Sequence, residues 1–411
     1  MTTKKPMLSV QEALDFLLHS ARPVSDIEQL STLDATGRVL AADQLSQLDV
    51  PPMDNTQMDG YAVRASDCVS GSAVLPVSQR IPAGHVGAPL QPGTVARIFT
   101  GALIPEGADA VVMQEQCALD EATGKVTVQH APRSGEWVRK RGEDIRAGST
   151  ILTRGTLLRA QELGLAASVG LAALPVYRRL KVGVFFTGDE LAMPGEPLKP
   201  GAIYNSNRFM LRGLLQQLGC EIVDLGNIPD SRDATRDALR KAADGNDLII
   251  TSGGVSVGEE DHVKPAVEAE GKLNMWQIAI KPGKPLAFGE VRRSTTQTPA
   301  YFIGLPGNPV SSFVTFLIFV RPFIQALQGA QVNPPARYPM RADFTWPKPD
   351  RRNEFLRVRI NDGGGLDLFP NQGSAVLTST VWGDGIVDNP PGQAIQPGDT
   401  VHFIPFSDLL H

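Results

Sequence analysis

Apolar positions recur along the chain with two different periods, and the change of period divides it. Near the start, Val10, Ala13, Leu14, Leu17 and Leu18 share one face at helical spacing, and Ser9 followed by Glu12 predicts a capping box in front of them. From about residue 30 to 178 that period gives way to short β-type runs such as 94–99, 110–114 and 125–128. Pro-Pro, Asp-Gly, Pro-Gly and Gly-Glu turns separate them. This stretch reads as one β-dominated domain or as two interleaved pieces, with a candidate helix at 157–169.

Strand and helix then alternate. Apolar runs at 181–187, 221–228, 247–252, 286–288 and 300–304 predict strands, and helical spacing at 207–218, 232–243, 262–270 and within 309–327 predicts helices. Gly219 and Gly245 stand where two of these helices should stop. Alternation at this spacing predicts a parallel, right-handed doubly wound sheet. Beyond Pro334-Pro335, residues 336–411 are again β-like with Gly-rich turns, which suits a small barrel or sandwich. The expected architecture is multidomain α/β plus β. A helical segment over 1–29 packs on the α/β domain, a β-rich half with linker and lid-like pieces covers 30–178, the α/β domain spans 179–330, and a β-barrel spans 331–411.

Composition narrows the class. The 411 residues are 42% hydrophobic and 20% charged, an ordinary globular balance, and 40 Gly with 32 Pro supply many turns. A net charge of −5 argues against a general nucleic-acid surface while allowing a local basic pocket. Cys68, Cys117 and Cys220 are too far apart for a C-x-x-C motif, so reduced thiols are expected. Lys4 and Lys5 are followed by no signal-type apolar run, and the apolar stretch 313–320 is short of the ~20 residues that cross a bilayer. The expectation is a cytoplasmic protein that engages no membrane and no nucleic acid.

Ligands of open α/β sheets bind beyond the carboxyl ends of the strands. The residues there are Thr187-Gly188-Asp189-Glu190, then Pro229-Asp230, then Ser252-Gly253-Gly254-Val255-Ser256-Val257-Gly258-Glu259-Glu260-Asp261, and finally Pro306-Gly307-Asn308-Pro309-Val310-Ser311. Gly253 and Gly254 let backbone N–H groups approach an anion, and the following helix N-terminus favours negative charge. Taken alone, a Gly-Gly pair is more often a plain turn. The spacing matches neither a Walker loop nor G-x-G-x-x-G. Glu190, Asp230 and Asp261 would repel a phosphate unless a hard cation lay between, which points to Mg²⁺. Helix capping is the competing reading of Asp230 and Asp261. Lys281-Pro282-Gly283-Lys284-Pro285 holds two ammonium groups on a stiff segment suited to an oxyanion, where a solvated turn is the plainer alternative. No H-E-x-x-H or G-x-S-x-G motif supports a zinc or serine hydrolase.

Seven segments in one order, MDGYAV at 58–63, FTGALIPEGADAVV at 99–112, RGEDI at 141–145, TGDEL at 187–191, TSGGVSVGEEDHVK at 251–264, IKPGKP at 280–285 and LPGNPVSS at 305–312, resemble the molybdopterin molybdenumtransferase family, which includes the E domain of gephyrin. The resemblance implies an elongated homodimer whose α/β domain is similar to molybdopterin adenylyltransferases. It also implies a Mg²⁺-dependent reaction of adenylylated molybdopterin with molybdate that releases AMP. Carried onto this chain, Ser252, Gly253, Gly254, Ser256 and Gly258 would cradle the pterin adenylate beside the turn Pro306, Gly307, Asn308 and Pro309. Glu190, Asp230 and Asp261 would hold the metal or orient hydrolysis, and Asp59, Thr100 and Asp144 would complete the site from the partner subunit. Lys281, Lys284, Ser311, Arg352 and Ser374 would surround molybdate. Partner proteins consistent with the role are the adenylyltransferase that makes the substrate and the chaperones of molybdoenzymes. Two competing functions are a molybdopterin adenylyltransferase, which would not require the β-rich half, and a non-catalytic scaffold, for which no long linker or extra domain speaks.

Overall fold

The computed structural model describes residues 7–255, 262–283 and 285–410. Its centre is a six-stranded sheet in the order Glu221–Ile228, Lys181–Thr187, Leu248–Ser252, Ala300–Leu305, Pro285–Val291, Gly271–Gln277. The first four strands are parallel, and three of them, Lys181–Thr187, Leu248–Ser252 and Ala300–Leu305, are the continuous apolar runs expected of strands buried on both faces, while Glu221–Ile228 lies at the sheet edge and mixes polar with apolar residues. The last two run antiparallel, so the sheet is mixed and the all-parallel expectation is corrected. Parallel neighbours need a crossover of a dozen or more residues, and the link 292–299 is too short to supply one. The strand Gly271–Gln277 was not foreseen.

The helices pack as their patterns require. Ser206–Gln217 buries Leu211, Leu214 and Leu215 and is followed by Gly219 at φ +68°. Arg232–Gly245 runs through the expected stop and ends at Asn246, whose side-chain amide donates to the Ala242 carbonyl at 2.8 Å. Pro309–Leu327 is long and apolar enough to cross a membrane by composition, but it is the central core helix, with 83% of its apolar window buried. Val10–Ser20 carries the predicted Ser9–Glu12 capping box and buries Ala13 and Leu17 against the same core.

The β-rich half consists of two bodies. The outer one is a six-stranded sheet, Ala110–Met113, Gly60–Val63, Val95–Ile98, Ala73–Ile81, Lys125–Val128, Cys117–Asp120, with its own cores around Val63 and Ile98. The inner one pairs Ile27–Ser31 with Ala173–Tyr177 and packs helix Ala160–Ser168 on Leu40 and Leu174. The chain passes outward and returns along the paired segments Asn55–Thr56 and Val138–Arg139, so the two bodies are interleaved.

In the C-terminal region, Tyr338–Arg341, Asn353–Ile360, Leu366–Leu368, Gly385–Asn389 and Thr400–Pro405 enclose a core of Leu356, Val358, Val387 and Phe403. A bridge between Ala342 and Leu366 brings the ends of this sheet together as a small barrel. One edge strand is borrowed. Ile280–Lys281, from the connection between two strands of the central sheet, pairs in parallel with Asn353 and Glu354.

Candidate active site

Four parallel strands end at one cavity of about 760 Å³. Thr187, Gly188 and Glu190 enter it from the first strand in sequence, Asp230 from beyond the second, Ser252 to Val255 from the third, and Pro306 to Pro309 from the fourth. Their convergence is a product of topology, because each segment follows the carboxyl end of its strand. Gly253 and Gly254 have φ +96° and +64°. A Cβ on Gly253 would stand 2.6 Å from the Thr187 carbonyl oxygen, and one on Gly254 would stand 2.6 Å from Val263 Cγ2. Glycine is therefore required at both positions by backbone conformation and by space.

Ser252 turns inward. Its hydroxyl donates to the Pro306 carbonyl at 3.0 Å and accepts from Asn207 Nδ2 at 2.8 Å, while the same Asn207 nitrogen lies 2.7 Å from the Gly307 carbonyl. These contacts fix the Pro306-Gly307 turn against the glycine turn, so Ser252 supports the cavity with its side chain already engaged. Thr187 Oγ1 and Asn207 Oδ1 are buried without a hydrogen-bond partner among the described residues, and both residues line the cavity. Asn205, Ser206 and Asn207 at the start of helix Ser206–Gln217, and Asn308 and Pro309 at the start of the core helix, present two helix N-termini to the same space. Partial positive charge at those ends favours an anionic ligand.

A second cavity of about 390 Å³ adjoins the first, since Pro306 and Asn308 line both. Its walls are Lys281 to Gly283, Ser311, Arg352 and Gln372 to Ser374, so the expected group Lys281, Ser311, Arg352 and Ser374 is brought together. Lys281 is not the unpaired ammonium that the sequence suggests. Its Nζ lies 2.9 Å from Glu354 Oε1, a carboxylate with no exposed surface that also accepts from Trp346 Nε1 at 2.8 Å. Arg352 grips Asp350 through two nitrogens at 2.9 and 2.8 Å and reaches the carbonyls of Ile280 and Gly283 at 3.4 and 3.3 Å. The guanidinium holds Asp350 well below the usual carboxylate range, and Asp350 in turn raises Arg352.

Other expected residues stand apart. Asp59 lies in the outer β-rich body, where one carboxylate oxygen accepts from both the amide and the hydroxyl of Thr100, each at 2.7 Å. Those two bonds hold Asp59 below its ordinary range. Asp144 is exposed in the same half, with its amide donating to the Val50 carbonyl at 3.0 Å. None of the three lines either cavity. Ser256, Gly258, Asp261 and Lys284 lie outside the described residues. Glu190 and Asp230 share the larger cavity, and among the described residues no three His, Cys, Asp or Glu gather as a metal site.

The sequence places Thr187 at a strand end without giving it a role, and it gives no indication of Asn207, Glu354 or Gln372 as site residues. Asn207 follows an Asn-Ser capping pattern that could have marked it. Glu354 gave no local signal, because its lysine partner lies 73 residues away.

Comparison with known proteins decides the family. Residues 8–170 match the MoeA N-terminal region (domain I and II), 183–326 a probable molybdopterin binding domain, and 339–406 the MoeA C-terminal region (domain IV). A molybdopterin molybdenumtransferase of Haemophilus influenzae is 41% identical over 412 residues, covering 98% of this chain and all of that one. This chain belongs to the molybdopterin molybdenumtransferase family. A Bacillus subtilis member of the family is 33% identical over 98% of this chain and 95% of its own. The crystal structure of the molybdopterin biosynthesis moeA protein from Pyrococcus horikoshii OT3 superposes with a TM-score of 0.83 at 29% identity, covering 97% of this chain and 100% of that one. The family's multidomain α/β plus β architecture is the one described above.

Proposed function

We propose that this protein inserts molybdenum from molybdate into adenylylated molybdopterin and releases AMP. The observation that carries the reading is the pair of adjoining cavities with Pro306 and Asn308 as their common wall. The larger is roomy enough for a nucleotide-sized ligand and presents helix N-termini and a glycine turn to anionic groups. The smaller offers Arg352, Lys281 and hydroxyl groups on a scale suited to a tetrahedral oxyanion. Phosphoanhydride and oxyanion would then meet across one proline-stiffened turn, which holds the two reactants at a fixed approach.

Glu190 and Asp230 present hard oxygen donors to the larger cavity and suit Mg²⁺, whose remaining positions would be taken by water and substrate phosphates. When bound, the ion would neutralise phosphate charge beside those carboxylates. Asp59, Thr100 and Asp144 complete the site in a homodimer, supplied by the partner's β-rich half. The Asp59–Thr100 bonds fix one carboxylate oxygen and leave the other to act. The protein works in the cytoplasm, receives its substrate from a molybdopterin adenylyltransferase and passes its product to molybdoenzyme chaperones.

The test is turnover of the full-length protein with adenylylated molybdopterin, Mg²⁺ and molybdate, following AMP. Release that depends on molybdate and falls about a thousandfold in Asp230→Ala is expected. Adenylylation of molybdopterin from ATP, with no molybdate-dependent AMP release, would replace the reading with the adenylyltransferase one.

A further inference from the structure

Arg357 sits in strand Asn353–Ile360 and is 1% exposed, the largest fully buried side chain of the described residues. All its partners are neutral. Nε donates to the Ser379 hydroxyl at 3.1 Å, and the terminal nitrogens donate to the carbonyls of Phe355 and Gly373, each at 3.2 Å. Burial alone pulls its pKa down to about 10, which leaves it charged at neutral pH. Burying a cation without a carboxylate is unfavourable, and an apolar side chain of similar size would avoid that cost.

The location supplies a reason for the charge. Gly373, which accepts from the guanidinium, lines the smaller cavity between Gln372 and Ser374. The backbone of Arg357 also holds the Gln372 side chain, its amide donating to Oε1 at 2.9 Å and its carbonyl accepting from Nε2 at 3.0 Å. On the far side, the Ser374 carbonyl accepts from the Val310 amide at 3.0 Å. The wall is thus clamped between Arg357 and the start of the core helix.

Charge balance around the cavity points the same way. Lys281 is matched by Glu354 and Arg352 by Asp350, so among the described residues those two cations are cancelled by two carboxylates. Among the described residues, Arg357 is a cation behind the wall whose hydrogen-bond partners are all neutral. Resting on the reading of this cavity as the molybdate site, we infer that Arg357 is a positioning residue for the oxyanion. It holds the wall 372–374 in place and supplies the positive charge that a bound oxyanion neutralises. The group acts through the wall and the field rather than by touching the oxyanion.

The test compares full-length wild type with Arg357→Met, Arg357→Lys and Ser379→Ala, using sodium molybdate alone in calorimetry and molybdate with adenylylated molybdopterin in turnover. Arg352→Ala serves as the reference for the cavity itself. In Arg357→Met, the melting temperature without molybdate should stay within about 3 °C of wild type or rise, because a buried charge has been removed. Its half-saturating molybdate concentration should rise about tenfold, with the KM for adenylylated molybdopterin unchanged. Arg357→Lys should recover most of the loss, and Ser379→Ala, which frees Nε, should show a smaller rise. Wild-type molybdate saturation in folded Arg357→Met, or equal losses in the Lys and Met variants, would overturn the inference. If Arg352→Ala alone raises the half-saturation, only the role of Arg357 fails. If neither arginine matters, the cavity is not the oxyanion site and both readings fall.

Discussion

The cavity at the strand ends draws nearly all its lining from a single domain and holds it with neutral hydrogen bonds and glycine conformation. The narrower cavity beside it joins segments from two domains and holds them with ion pairs. In the first, the chain needs only to complete its sheet for Thr187, Ser252, Gly254 and Pro306 to meet. In the second, Lys281 must find Glu354 across a domain boundary. The first should therefore be sensitive to backbone geometry and the second to charge.

Three perturbations sharpen that contrast. The largest effect is expected for Glu354→Ala, which leaves Lys281, Trp346 Nε1 and the Asp350 amide without their shared acceptor. Stability should fall by about 3 kcal/mol in urea denaturation, with molybdate use lost while adenylylated pterin still binds. A loss under about 1 kcal/mol would mean that the ion pairs do not hold the seam. Gly254→Ala comes next. Its φ of +64° and the approach to Val263 should cost about 1–2 kcal/mol. Pterin binding should weaken, and a variant with unaltered pterin affinity would remove the glycine turn from the ligand cradle.

The smallest effect concerns pH. The folded-state pKa of Asp350 is depressed by Arg352, so its contribution is complete above its unfolded value of about 3.9. That contribution is lost as pH falls below about 4 through the lower folded value. Denaturation midpoints between pH 5 and 2.5 should fall less steeply in Asp350→Asn than in wild type. Parallel curves would show that the pair is too solvated to matter.

The same contrast sets what could be read in the sequence. Buried parallel strands announce themselves as apolar runs, so Lys181–Thr187 has the predicted bounds. Glu221–Ile228 also has them although it is an exposed edge strand, because Ile222, Val223, Leu225 and Ile228 still give it an apolar content between two helices. Gly271–Gln277 carries a weaker pattern, with Lys272 and Asn274 flanking Leu273 and no turn signal between it and the preceding helix. Local motifs placed Gly253, Asp230 and Pro306 correctly at one mouth, since strand ends dictate it. The ion pair that occupies Lys281 was illegible, because nothing near residue 281 or residue 354 specifies the other. Arg357 was hidden for a related reason. An arginine in an alternating strand normally points to water, and only the packed barrel shows that this one does not.

The two-residue strand that the central domain lends to the barrel bears on how the molecule comes into being. Residues 280 and 281 leave the ribosome well before residue 353, so the older domain can already be folded when its guest arrives. It would then serve as a template onto which the last domain nucleates. Expressed alone, residues 331–411 would leave one margin of their sheet unpaired, an invitation to stick to other copies.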